Sequence, residues 1–185
     1  MSTIIDDTKL YFIETIQAAP LDKFGLIRHT GEMTRWAERV LKSYPKADRE
    51  IVFLSIWLHD ISHYDGEYGT YDHAVESEKR AKVFLADKKY PQEKIEKVAH
   101  CVRAHRCKDV MPESIEAKIV AAIDAASHMT DTPYIDMAQS GRVDEAIAKL
   151  GRDYRDVALI PEVKQIAEPF YRIWTEFLSI YSGLR

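Results

Sequence analysis

The run IVFLSIWLHD, residues 51–60, restricts the fold of this chain more than any other stretch. Eight residues, nearly all suited to a core, are followed at once by an imidazole and a carboxylate. A carboxylate buried without a partner costs several kcal/mol or gives up its charge. The fold that buries this run must therefore supply His59 and Asp60 with a compensating group. Asp48 stands just ahead of the run as an N-cap residue, so the segment reads as a helix. The rest of the chain agrees. Apolar residues recur at helical spacing, alternating strand patterns are nearly absent, and the one Asp-Gly pair, Asp65-Gly66, lacks alternating flanks. The expected class is all-α.

Helical segments are predicted over about 4–19 and 24–43, from Asp48 through the apolar run, then over 73–88, 91–107 and 113–129. Asp72 is the expected cap of the fourth, and Pro91 the first residue of the fifth. Two or three further helices complete the chain, with breaks expected near Gly141, Gly151, Pro161 and Pro169. The segment 62–72, with Gly66 and Gly69, reads as a loop. The last stretch, FYRIWTEFLSIY, is amphipathic and is expected to pack on the body. There is no repeat, linker or low-complexity segment. One compact helical domain over residues 1–185 is expected, its core at about 24–130 and the C-terminal helices packed on it.

Bulk properties remove some functions. The 26 basic and 30 acidic residues give a net charge of −4, so no broad basic face and no nucleic-acid partner are expected. Cys101 and Cys107 fall in one helical stretch, too far apart for a disulfide, and read as free thiols of a reducing compartment. MSTIIDDTKLYF lacks the pattern of a signal peptide, and no run is long and apolar enough for a membrane span. The expected location is the cytoplasm, away from membranes.

Seven histidines, at 29, 59, 63, 73, 100, 105 and 128, can be sorted by helical face. His29 shares a face with Leu26 and Met33. His59 stacks over Val52, Ser55 and Ile56, and Asp60 over Phe53, Ile56 and Trp57. His105 follows Val98, Cys101 and Val102, whereas His100 follows Glu96 and Lys97 and belongs to the wet side. Asp124 lies in AKIVAAIDAAS with no balancing charge nearby. His63 and His73 bracket the loop, where periodicity places neither. One inward histidine is usually a core residue that has found a hydrogen bond. Three of them with two inward aspartates, on four separate helices, are explained together if they converge on a metal. Imidazole with carboxylate suits Mn, Fe, Co, Ni or Zn, and a cation holds the carboxylates ionised.

The order His29, His59-Asp60, Asp124, each on a helix, resembles the HD-domain superfamily of metal-dependent phosphohydrolases, over about residues 24–130. HAVESEKRAKVFL, from His73, resembles the helix that opens with a third histidine in two-metal members. IEKVAHCVRAHR resembles the helix that ends in a fourth, and the matching position is His105. The resemblance implies six ligands and two divalent transition metals: His29, His59, Asp60 and Asp124 on one, His73 and His105 on the other. Asp60 would bridge them and is the catalytic residue in the sense that it holds the hydroxide between them. The implied activity is hydrolysis of a nucleotide or other small phosphate ester by that hydroxide. The chain departs from the family where Ile-Gly-Lys follows the His-Asp pair in many members; here Ile61-Ser62-His63 stands instead, and the Gly-Tyr-Pro signature of cyclic-dinucleotide phosphodiesterases is absent. His63 is thus a candidate for substrate phosphate, or a loop surface residue. Arg106 beside His105 is the first candidate among the arginines and lysines near ligands, ahead of Arg28, Arg103 and Lys108.

The same ligands serve two other functions, O₂ chemistry at a di-iron pair and non-catalytic binding of metal or nucleotide. His128, one turn after Asp124, reads as a group orienting that carboxylate, a substrate contact or a satisfied core histidine. Tyr64, Tyr68 and Tyr71 either stack on a base or pack the loop. A homodimer through the last helix is compatible with the sequence.

Overall fold

Which helices enclose the apolar run is settled by how the others pack on it. The computed structural model describes residues 2–66 and 71–184, so Tyr68 and Gly69 lie outside the described residues. Among the described residues the chain forms nine helices and no strand: α1 Ile4–Gln17, α2 Leu26–Val40, α3 Arg49–Leu58, α4 His73–Asp87, α5 Gln92–Ala104, α6 Ile115–Met129, α7 Pro133–Gln139, α8 Val143–Val157 and α9 Pro161–Gly183. None is long and apolar enough to cross a membrane.

Two helices form the centre. Every residue of α3 from Ile51 to Leu58 is buried, and α6 is buried over most of its surface. A helix apolar all round must be covered on all sides. Accordingly α3 packs against α1, α2, α4, α5 and α6, and α6 against α2, α3, α5, α7, α8 and α9. The predicted inner face of α2 is buried from Leu26 through His29, Met33, Trp36, Ala37 and Val40. Asp48 caps α3 by accepting from the N–H groups of Glu50 and Ile51, and Asp72 caps α4 by accepting from Ala74. Gly25, at φ 65°, ends the chain segment before α2; a Cβ there would meet the Arg28 guanidinium at 3.1 Å.

The structure corrects the predicted boundaries at several places. Pro91 is the N-cap of α5, so the helix starts at Gln92, one residue later than expected. α5 ends at Ala104, so Cys107, at φ 48°, is not on the helix that carries Cys101. Both cysteines are free and buried nonetheless. His59 is the C-cap of α3, and Asp60 lies in the turn after it rather than on the helix. Gly141 and Pro161 fall at helix ends, whereas Gly151 lies inside α8 and Pro169 inside α9. At those two positions packing outweighs local preference. Leu150 and Val157 remain buried on either side of Gly151, and Val163, Ala167 and Leu178 keep α9 on the body past its proline.

Candidate metal centre

The ends of helices deliver the predicted ligands to one place. His29 lies in the first turns of α2, whose opening N–H groups are capped by Asp22: its carboxylate accepts from Leu26 at 2.8 Å and Ile27 at 3.1 Å. The Tyr64 hydroxyl donates to the same carboxylate at 2.5 Å and accepts from the Phe24 N–H at 3.0 Å. The turn after Asp60 is thereby tied to the helix that carries His29. Arg80 holds that turn from the other side, through the Ile61 carbonyl, Asp65 and the Tyr11 hydroxyl. Tyr64 packs the loop rather than standing free of it, and Tyr71 donates to the Ser62 carbonyl at 2.7 Å.

His73 is the first residue of α4 and His105 the C-cap of α5. Arg106 Nη1 donates to Asp72 Oδ1 at 2.8 Å. The guanidinium next to one histidine thus grips the cap residue next to the other, and the two imidazoles face each other 5.8 Å apart, centroid to centroid. Arg106 is engaged in this grip. His63 stacks on His73 at 4.6 Å and meets the Phe24 ring, which places it at the border of the centre. His100 faces away and accepts from the Glu113 N–H, as the wet-face reading expects. Arg28 pairs with Asp131 and Arg103 with Asp109.

Two groups of ligand atoms result, His29–His59–Asp124 and Asp60–His73–His105, each within 4.8 Å of one another. Asp60 stands between them. Its Oδ2 lies 3.4 Å from His59 Nε2, while its Oδ1 lies 3.4 Å from His73 Nε2 and 3.7 Å from His105 Nε2. Asp124 Oδ1 is 3.0 Å from His29 Nε2 and 3.9 Å from His59 Nε2.

The hydrogen bonds behind the rings fix which nitrogen faces inward. His59 Nδ1 donates to the Ile56 carbonyl at 2.8 Å and His105 Nδ1 to the Val102 carbonyl at 2.6 Å. Ser127 gives its hydroxyl proton to the Asp124 carbonyl, so its oxygen accepts from His29 Nδ1 at 3.0 Å. Each Nε2 is then left to point into the centre with a lone pair, as metal-bound imidazoles do. The consequence is a concentration of acceptors. His29 Nε2 and His59 Nε2 are 3.2 Å apart, with two carboxylates beside them. Asp60 Oδ1 is buried and has no hydrogen-bond partner. A cation resolves such a cluster. A proton on His59 is the smallest one: burial works against its charge, but Asp60 and Asp124 outweigh burial and raise the pKa to about 9. Burial also opposes ionisation of the two carboxylates, yet His59 beside Asp60, and His128 and His29 beside Asp124, hold both below the usual range. His105 is pushed down to about 4 by burial first and by His59 next, and burial lowers His29 and His73 as well. The set is a mostly neutral group of imidazoles around two ionised carboxylates, a donor chemistry that fits divalent transition metals.

The sequence reads His128 as a neighbour of Asp124, but not what stands behind it. His128 lies beside Asp124 with its ring stacked on His29 at 4.9 Å and 9°. Behind it stand Lys149 and Asp153 of α8 and the buried Tyr134 of α7. The four-residue spacing of Lys149 and Asp153 marks one face of a helix, and nothing in it says that this face meets His128.

The family model of the HD domain matches residues 26–129, more than half of the chain. Among solved structures, the crystal structure of a predicted HD superfamily hydrolase from an uncultured Thermotogales bacterium is similar at a TM-score of 0.65. The match covers 96% of this chain and 90% of that one, at 19% sequence identity. At that identity the likeness is one of fold. A comparison with curated proteins gives no match.

Proposed function

Starting from a chain that belongs to the HD-domain family, we propose that it is a phosphohydrolase of small phosphate esters whose centre holds two divalent cations through one shared carboxylate. The observation that carries this reading is Asp60: its two oxygens face two different sets of histidines, and the oxygen on the His73 and His105 side has no other partner. His29, His59, Asp124 and Asp60 Oδ2 would hold one ion, and His73, His105 and Asp60 Oδ1 the other. Bound there, divalent cations supply Lewis-acid polarisation of a phosphoryl oxygen and an acidified water. The chain's own part is to aim Nε2 of His59, His105 and His29 at the centre, through the carbonyls of Ile56 and Val102 and the Ser127 hydroxyl. The buried walls of α3 and α6 exclude bulk water from one side, while His73, partly exposed, marks the side from which an ester enters. Hydrolysis forms one P–O bond to water, breaks the ester P–O bond and returns a proton to the leaving oxygen.

Elemental analysis of protein purified without chelator, paired with assays on p-nitrophenyl phosphate and nucleoside monophosphates, tests the reading. About two transition-metal ions per chain and turnover lost by at least about 10³-fold in Asp60→Ala are expected. One ion per chain would reduce the centre to His29, His59, Asp60 and Asp124. Iron with O₂-dependent oxidation, or no metal after reconstitution, would overturn the proposal.

A further inference from the structure

One imidazole beside the centre carries its proton on the opposite nitrogen from its neighbours. His29, His59 and His105 donate from Nδ1 and turn a lone pair inward. At His128 the group next to Nδ1 is Lys149 Nζ, 3.0 Å away. An ammonium only donates, so Nδ1 accepts from it and the ring proton sits on Nε2.

The arrangement is held from behind. Lys149 Nζ also reaches both oxygens of Asp153, at 3.1 and 3.3 Å, and the buried Tyr134 hydroxyl donates to Asp153 Oδ2 at 2.6 Å. Asp153 Oδ2 lies 3.3 Å from His128 Nδ1, a longer contact from an oxygen that already accepts from Tyr134 and Lys149. On the other side of the ring, Nε2 is 3.8 Å from Asp124 Oδ1. That is too far for a hydrogen bond, so the ligand does not consume this N–H. The side chain of His128 is 18% exposed, against 0% for His59 and 3% for His105, so solvent and a ligand can reach it, as they can His73 at 22%.

We propose that His128 is not a metal ligand but the hydrogen-bond donor to a phosphoryl oxygen of the substrate, and that Lys149, seated on Asp153, is the positioning residue that fixes its Nε2–H tautomer. The assignment rests on the phosphohydrolase reading and adds α8 to the working parts of the centre. It gives α8, which lies beyond the matched family segment, a direct bearing on phosphate affinity.

The test uses the full chain loaded with Mn²⁺ and inorganic phosphate as the probe. Metal per chain is read by elemental analysis and phosphate affinity by calorimetry. His128→Ala and Lys149→Met should keep the wild-type metal content and bind phosphate about 10- to 100-fold more weakly, the loss expected for one hydrogen bond to a charged group. His128→Gln, whose amide N–H reaches near the place of Nε2, should recover most of that loss. Lys149→Met is the informative variant: it leaves the ring in place and frees Nδ1 to donate to Asp153, which turns a lone pair outward. Loss of metal in His128→Ala would make His128 a ligand and overturn the proposal. Unchanged phosphate affinity in both variants would overturn it as well. A wild-type protein that binds Mn²⁺ but no phosphate would instead overturn the phosphohydrolase reading, and this inference with it. Should a variant fail to fold, the imidazole ¹⁵N spectrum of the zinc-loaded wild-type protein reads the tautomer directly; a proton on Nδ1 of His128 refutes the assignment.

Discussion

Asp60→Asn keeps the outline of the side chain and removes one negative charge from the point where both histidine groups meet. In the protein without metal this change removes the charge that faces His59 across 3.4 Å, where the pairing outweighs burial and holds Asp60 below the usual carboxylate range, so the metal-free variant should melt below wild type. Each protein is therefore compared with its own metal-free state. With metal the two proteins separate further. An ion present at 100 times its dissociation constant adds about 2.7 kcal/mol per site, and two sites sharing Asp60 add about twice that. For a chain of this length 1 kcal/mol moves the melting temperature by about 2–4 °C, so Mn²⁺ should raise wild type by about 10–20 °C. Second-layer changes alone cost about 10- to 100-fold in metal affinity, and the loss of the shared ligand should reach at least the upper figure at both sites. At the same Mn²⁺ concentration each site then adds only about 0.4 kcal/mol, and the variant gains a few degrees at most. Scanning fluorimetry of chelator-treated protein titrated with MnCl₂ measures both. An Asp60→Asn protein that gains as much as wild type would refute the shared-ligand geometry.

Three further expectations follow from the same structure. Asp48→Ala removes the acceptor for the Glu50 and Ile51 N–H groups and a partner of Lys94, and should cost about 1 kcal/mol in urea unfolding. Asp153 is buried, which alone would raise its pKa, but Lys149 and the Tyr134 hydroxyl hold it below the ordinary carboxyl value of about 3.9. Its charge therefore contributes fully above about pH 4 and is lost as the pH falls through the folded pKa; the stability gap between wild type and Asp153→Asn, measured by urea unfolding with chelator present, should be constant above about pH 5 and shrink below pH 4. Burial pushes the thiols of Cys101 and Cys107 up to about 12 each, so a thiol reagent at pH 8 should label the native protein slowly and both cysteines at once when urea is added.

Much of the centre could be read from spacing because its ligands sit on helices whose other residues declare the inward face. Leu26 and Met33 commit His29, and Val98, Cys101 and Val102 commit His105 over His100, which the structure places facing inward and outward respectively. The caps were legible for a related reason: Asp48 and Asp72 act on N–H groups two or three residues away, within reach of sequence alone. Contacts between distant segments were not. Arg106 and Asp72 are 34 residues apart, and Tyr64 and Asp22 are 42 apart. Lys149 meets His128 only because α8 lies along α6, which depends on the path of α7 and the turns around it. Local preference misled where packing was stronger, as at Gly151 and Pro169, and flattered the fifth helix, which stops short of Cys107.

The last turn of α6 has an optical property. Trp36 donates from Nε1 to the Thr130 hydroxyl at 3.3 Å, and Trp174 from Nε1 to the Met129 carbonyl at 2.9 Å. Two of the three indoles of the chain thus end within two residues of His128 and about one and a half turns from Asp124. A paramagnetic ion bound at the centre is expected to quench that native emission, so its loading should be followed by fluorescence with no dye or tag attached.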